Sequence, residues 1–504
     1  MKRLYPFIVM AAALLFAGGG LRAADTGAAA DIDSYARKIR SDWNVPGFGL
    51  TVYKGDSLIL SKGYGVREKG LATPLDPTTL LHIGSVSKSF TAALMAMLVD
   101  EGVVSWDDRV KDHLPWFHMA DSAVAENLLV RDIMSHRIGL NSQAGTYFPN
   151  LGYDRDDVLE MLCRVTPRYE FRDGIHYNNM AFIIAEKIIE AHTGKSWEEN
   201  LQERIFAPLG MTSGTSGEEG FLAAQNRAAQ HYFHRGKESG VTGVLKGEGR
   251  ALHWLTVIGP AGGICTNTED LAKWALFHLR KGQWEGRQII SEEQIDFLHR
   301  GQGVSTQNEE KITLYGHCWY IEQNDDYRVY YHTGTTWGHT ALCVFVPELD
   351  LAFAMLFNAE TPGGCRFSLM RRIIDIFRGA PYTDYSTTEK RNWLKGGGGS
   401  SNKSGWTIAL RNTAVAPSAL VGKYTKDEVF GDASVSLKEG KPYLKMGKKG
   451  WSHRLVHVKG NRYTVSSGGH TYPVIFEIGK NGRATAFEIN WGCGESLGPW
   501  KRAN

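Results

Sequence analysis

Two strand-rich stretches stand at opposite ends of a long helical middle, and this placement limits the fold of the 504-residue chain more than any other feature. Gly47–Tyr53 and Ser57–Lys62 read as a hairpin around the turn Lys54-Gly55-Asp56. From about residue 105 to about residue 300 the pattern is mainly helical, with segments such as Tyr177–His192 and Thr268–Arg280. Strand periodicity returns near residue 311. Arg328–Tyr331, Thr340–Val346 and Leu351–Phe357 follow as consecutive antiparallel strands, the last two joined by Pro347–Asp350, and a helix at Ser368–Arg378 closes the unit. A sheet built from both ends of one stretch implies a single domain. The expected class is α+β, an antiparallel sheet flanked by helices with a helical subdomain, over residues 24–390.

What lies outside that unit differs in kind. Residues 1–23 carry the parts of a secretory signal: Lys2 and Arg3, the apolar run Phe7–Ala17, and Leu21-Arg22-Ala23 as a cleavage site. The run is too short to span a bilayer. The chain is therefore expected to be exported, periplasmic or secreted, with no transmembrane segment in its mature form. Residues 391–405 read as a Gly/Ser-rich linker, and residues 406–504 as a small all-β unit, a sandwich or barrel, with runs at Ser434–Leu437, Arg462–Val465, Tyr472–Ile478 and Ala484–Trp491.

The formal net charge is +3, so the chain as a whole gives no field that would gather nucleic acid or membrane lipid. The charge is uneven, however. Gly405–Asn504 holds 15 Lys+Arg against 7 Asp+Glu, or +8, leaving −5 for residues 1–404. The reading of that basic unit stays open between a solvated face, a contact with an anionic polymer and a cover for the site. Six cysteines include no Cys-x-x-Cys; Cys318 and Cys343 sit in apolar strand-like runs and are expected as packed thiols, with one disulfide left open. No metal signature occurs among the 17 histidines, and no cofactor is expected.

Three short motifs carry chemistry. Ser85 opens a helix expected to run to about Glu101, with Val86, Phe90, Ala93, Leu94, Met97 and Leu98 on one apolar stripe and Gly102 as its stop. Three residues on, Lys88 shares the face of Ser85. A serine hydroxyl needs a neighbour to take its proton, and a lysine can do so only if burial or cations bring its pKa from about 10.4 to about 7. The spacing alone is weak, since Ser400 and Lys403 repeat it within the Gly/Ser stretch. Tyr177-Asn178-Asn179 falls on a loop entering an apolar helix. Nearby cations could lower the Tyr177 phenol enough for acid and base work, and Asn179 could hold a substrate amide or orient Lys88. His-Thr-Gly occurs twice. His192-Thr193-Gly194 ends a helix and reads as a stop signal, whereas His332-Thr333-Gly334 follows a strand expected at a sheet edge, where glycine admits substrate and backbone N–H groups can face an oxyanion. The Gly-x-Ser-x-Gly match at Gly494–Gly498 fails as a nucleophile elbow, because Pro499 follows at once and no histidine comes later.

Ser85-Val-Ser-Lys88, Tyr177-Asn-Asn179 and His332-Thr-Gly334, in that order, resemble the serine β-lactamase and D-Ala-D-Ala carboxypeptidase-like family, in its class C and penicillin-binding-protein branch. His82-Ile-Gly-Ser-Val-Ser-Lys-Ser-Phe-Thr91, Val130–Leu140 and Pro260–Ile264 are similar to the same family, over about residues 30–380. The last hundred residues resemble the small lipocalin-like barrel appended to many such hydrolases. The resemblance implies that Ser85 is acylated, that Lys88 and Tyr177 share base and acid work, and that the N–H groups of Ser85 and Thr335 form the oxyanion hole. It places Asn179, His332, Thr333 and Gly334 around the substrate. One departure matters: His332 stands where efficient class C β-lactamases carry lysine, and histidine is largely neutral at pH 7. The expected activity is therefore cleavage of an amide or ester of a small molecule or peptide, as in carboxypeptidases, aminopeptidases and esterases. Transfer of the acyl group to an alcohol or amine, and class C-type β-lactam hydrolysis, are the alternatives.

Overall fold

The structure is a computed structural model that describes residues 23–146, 148–234, 240–244, 249–307, 311–395, 408–467, 470–490 and 498–503. The expected signal segment up to residue 22, the Gly-rich stretch 396–405 and Cys493 lie outside the described residues.

The main sheet has eight antiparallel strands: β1 (Gly47–Lys54), β2 (Ser57–Gly65), β3 (Gly303–Gln307), β4 (Ile312–Tyr315), β5 (Tyr320–Gln323), β6 (Arg328–Thr336), β7 (His339–Val346) and β8 (Leu351–Phe357). Their order is β3-β4-β5-β6-β7-β8-β1-β2, so the closing step joins the two ends of the domain. β8 pairs with β1 with Phe48 opposite Phe357 and Leu50 opposite Met355. β7 and β8 are buried along their whole length, because helices cover both sheet faces; this is why they read as continuous apolar runs.

One face packs Leu342, Val344, Phe353 and Met355 against α1 (Ala23–Asp42) and a later helix. The other face meets the helical region: α2 (Ser87–Asp100), α3 (Val130–Met134), α4 (Arg155–Cys163), α5 (Phe182–Thr193), α6 (Gly249–Val257) and α7 (Thr268–Leu279). The later helix, α8 (Gly363–Arg378), lies beside α1, and α9 (Tyr385–Lys395) packs on both. α9 extends five residues into the stretch expected as linker.

α2 departs from the expected apolar stripe. Ser87 to Leu98 are buried on every side, so this is the central helix of the domain. Its hydroxyls are accordingly tied down: Ile264 N–H donates to Ser87 Oγ at 3.1 Å, Trp274 Nε1 to Ser89 Oγ at 2.9 Å, and Thr91 Oγ1 donates to the Pro260 carbonyl at 2.7 Å. Cys318 also differs: it sits at φ 69° in the connection between β4 and β5, not in a strand. The five described cysteines are all buried and unpaired, so no disulfide forms among them.

The C-terminal unit is a closed eight-stranded antiparallel barrel: β9 (Gly422–Thr425), β10 (Asp432–Lys438), β11 (Lys441–Met446), β12 (Trp451–Lys459), β13 (Arg462–Ser467), β14 (His470–Ile478), β15 (Ala484–Ile489) and β16 (Trp500–Arg502). Tyr424 opposite Arg502 closes the ring. Aromatic side chains fill the interior, with Phe487 stacked on Trp500 at 5.2 Å and Tyr463 edge-on to Phe476 at 5.7 Å. One end of the barrel is docked on the α+β unit at residues 148–157. Lys448 Nζ lies 2.7 Å from Asp157, Lys449 N–H donates to the Gly152 carbonyl at 3.1 Å, and Tyr153 Oη donates to the Phe430 carbonyl at 2.8 Å.

Candidate active site

Ser85 sits in a 3₁₀ turn, Gly84–Val86, that runs straight into α2. The first N–H groups of such a start have no partner within the helix. Lys88, one turn later and fully buried, points its amine back: Nζ lies 3.2 Å from Ser85 Oγ, 2.7 Å from Asn179 Oδ1 and 2.9 Å from the Ala261 carbonyl. The rings of Tyr177 and Phe182 stand 4.7 Å and 5.4 Å from the same nitrogen. Three oxygens contact this amine, none of them from a carboxylate. Burial therefore brings Lys88 from 10.5 to about 7, the value the chemistry asks for.

The Tyr177 hydroxyl stands beside Ser85, and burial of its phenol holds the pKa well above 10. This corrects the expectation of a phenol lowered by nearby cations. Lys88, the one close cation among the described residues, is itself driven toward its neutral form, so little positive charge remains to favour a phenolate. Tyr177 keeps its proton.

The loop that carries Tyr177 is laid across the end of α3. His176 N–H donates to the His136 carbonyl at 2.9 Å, and Arg172 binds the buried Asp132 through Nε at 3.1 and 3.0 Å and through Nη2 at 2.7 Å. Asn178, between the two expected site residues, is a buried latch. Its Nδ2 donates to the carbonyls of Asn141 and Ala144, and its Oδ1 accepts from Ala181 N–H at 3.0 Å. His136 packs its ring 4.1 Å from that of Tyr177, and its Nδ1 accepts the Asn178 N–H at 3.2 Å. Sequence reasoning missed both residues. Asn178 had a usable signal, an asparagine just before an apolar helix, whereas His136 had none beyond its place in the Val130–Leu140 segment.

His332 is 1% exposed, and burial lowers it to about 3, so it is neutral. Its Nδ1–H donates to the Thr333 carbonyl at 2.7 Å, which leaves Nε2 to accept from Tyr315 Oη at 3.3 Å. β6 is not an edge strand, because β5 and β7 flank it. β5 pairs only with Arg328–Tyr331, however, so the stretch His332–Thr336 runs past it with β7 on one side. The other flank meets the Gly84–Val86 turn. A Cβ on Gly334 would lie 1.8 Å from the Ile83 carbonyl oxygen, and one on Gly84, at φ 52°, would lie 2.7 Å from Thr335 N. Only two glycines let these backbones touch, which brings Thr335 beside Ser85. Thr335 is exposed and Thr333 half-buried. The second copy of the motif ends α5, with Gly194 at φ 65° as its cap.

The beta-lactamase family profile matches residues 32–376. Penicillin-binding protein 4 of Amycolatopsis lactamdurans is 27% identical over 347 residues, 68% of this chain and 88% of that protein. An unguisins hydrolase of Aspergillus campestris is also 27% identical, over 66% of this chain and 61% of its own length. Among solved structures, the octameric penicillin-binding protein homologue from Pyrococcus abyssi superposes with a TM-score of 0.60 at 19% identity, covering 91% of this chain and 97% of that one. D-amino acid amidase from Ochrobactrum anthropi SV3 does so at 0.57 and 21% identity, over 69% and 99%. These structural likenesses concern the fold. The profile match runs from within α1 to within α8, with the three converging motifs inside it, and the chain belongs to the beta-lactamase family of serine hydrolases.

Proposed function

We propose that the protein is a hydrolase that acylates itself on Ser85 and cleaves an amide or ester of a small molecule or peptide. The observation that carries this reading is the position of the Lys88 amine, 3.2 Å from Ser85 Oγ in a fully buried setting. In its neutral form Lys88 has two N–H bonds and a lone pair. The Asn179 and Ala261 oxygens take the two hydrogens, so the lone pair faces the serine hydroxyl. Lys88 accepts the Ser85 proton as Oγ attacks the carbonyl carbon, and the N–H groups of Ser85 and Thr335 receive the negative oxygen. Tyr177, protonated and beside Ser85, passes a proton to the leaving group and recovers one from Lys88. Water attacks the acyl-enzyme by the reverse path.

A neutral His332 offers no fixed charge to a substrate carboxylate, which supports neutral amides and esters over β-lactams. The N-terminal pattern of Lys2, Arg3 and Phe7–Ala17 supports an exported setting. The intact mass of the protein after mixing with acyl esters, D-amino-acid amides and β-lactams, with and without an alcohol acceptor, tests the reading. An added acyl mass that disappears in Ser85→Ala is the expected result. Labelling that survives the substitution would remove Ser85 from its role, and an acyl group recovered on the alcohol in place of water would make the protein a transferase.

A further inference from the structure

Part of the barrel unit's positive excess is gathered at one end, where five of its 15 Lys+Arg stand against two of its 7 Asp+Glu. The turns at residues 426–431 and 447–450 lie at the docked end of the barrel, where Phe430 and Lys448 touch the hydrolase unit. The hairpin turns β10–β11, β12–β13 and β14–β15 therefore project from the other end. On or beside them stand Lys438, Lys441, Lys459, Lys480 and Arg483, against the acids Glu439 and Glu477. None of these five cations is ion-paired among the described residues.

Two of the tips place like charges directly across from each other. Lys438 faces Lys441, and Lys459 faces Arg462. Such pairs destabilise a hairpin, and no ion pair among the described residues offsets them, although Lys438 Nζ lies 5.4 Å from the Tyr443 ring. Three apolar side chains stand exposed in the same region, Leu437 at 40%, Val456 at 48% and Val458 at 58%.

Cations alone would suit any polyanion. Unpaired cations mixed with exposed valines and a leucine suit a surface with phosphate on the outside and hydrocarbon just beneath. No helix among the described residues is long and apolar enough to cross a membrane, so the contact would be peripheral. We propose that the undocked end of the barrel is a docking surface for anionic phospholipid, holding the hydrolase unit at a membrane face. This does not depend on the reading of the active site.

The test is co-sedimentation of the full chain with vesicles of phosphatidylcholine alone and of phosphatidylcholine mixed equally with phosphatidylglycerol. The chain should pellet with the mixed vesicles and stay in solution with the neutral ones. The charge reversal Lys438→Glu with Lys441→Glu should weaken binding at least about tenfold, since each basic residue near such a surface contributes roughly fivefold. Val456→Ser with Val458→Ser should weaken it as well, with the melting temperature and ester hydrolysis unchanged in both. If the charge reversal misfolds, Lys438→Gln with Lys441→Gln replaces it with the same direction expected. Absent binding, equal binding to both vesicle types, or binding untouched by the lysine changes would overturn the proposal. So would valine variants that bind normally while soluble polyphosphate competes, since that result assigns the surface to a soluble polyanion.

Discussion

Lys88 is a strong case of a side chain whose chemistry is set by where it is buried. Its amine has carbonyl and hydroxyl partners but no carboxylate, so the charged form loses its hydration without gaining an anion. The sign follows. Below about pH 7 the folded amine is protonated and cannot accept from Ser85; above it the base form dominates. Acylation by a neutral ester should rise about tenfold per pH unit on the acid side and level off above about pH 7. In His332→Lys a second ammonium would stand near the first, where His332 already interacts with Lys88. The acid limb should then move down by roughly one pH unit, and anionic β-lactams should acylate faster as the new cation meets their carboxylate. Rate profiles of both proteins check this; a flat profile across pH 7 would remove Lys88 as the base. Ser85, Lys88, Tyr177, Asn179 and His332 could be picked out through the resemblance of three ordered motifs to a known family, since the Ser-x-x-Lys spacing alone is weak. The proton on Tyr177 could not, because desolvation depends on what packs around a phenol, and no motif states that.

At the scale of elements, the site is a contact between two backbones, the turn Ile83–Ser85 and the strand Gly334–Thr335, held together by the absence of two side chains. Gly334→Ala would force a Cβ into the Ile83 carbonyl oxygen and push Thr335 N away from the reacting oxygen. Loss of one such donor costs about a hundred- to a thousandfold in rate. The expected outcome is a drop of that size in adduct formation with substrate affinity less affected. Gly194→Ala is the control: it occupies φ 65° with open space around it, so it should lower the melting temperature and leave acylation unchanged. Equal losses in both variants would mean that the Gly334 effect is global. The hairpin β1–β2 and strands β7 and β8 were readable because their periodicity is local. The length of β6 was not, since the strand was expected to end at Tyr331, and His332 to Thr336 continue it through pairing with β7 alone. Likewise, α2 reads as amphipathic because its serines and threonine look solvent-facing, whereas the structure gives each a buried partner.

The molecule as a whole joins an α+β unit and a barrel through a small set of contacts whose geometry is strict. The barrel turn 447–450 lies against the Leu151–Gly152 backbone, and a Cβ on Gly447, at φ 73°, would fall 2.2 Å from the Leu151 carbonyl oxygen. Lys448 beside it binds Asp157 at 2.7 Å and Asp154 at 3.5 Å, the two acids that cap α4. The docked segment leads toward the site: Trp254 on α6 donates Nε1–H to the Thr146 carbonyl and packs its ring against Trp337, just beyond the end of β6. None of this was visible in the sequence, because Gly447 looks like any hairpin glycine until a second unit approaches it. Gly447→Ala and Gly440→Ala separate the two meanings. Both positions have positive φ, 73° and 72°, so both substitutions carry a backbone cost of roughly 1–3 kcal/mol. Only Gly447 meets the other unit; Gly440 has nothing within 4 Å. Gly440→Ala should lower the barrel's stability while calorimetry still shows one cooperative transition. Gly447→Ala should split that transition in two, with the barrel melting first, and should slow ester cleavage through the loosened 148–157 segment. A single transition in both proteins would show that the units unfold together for reasons other than this contact, and the barrel would lose its claim to support the site.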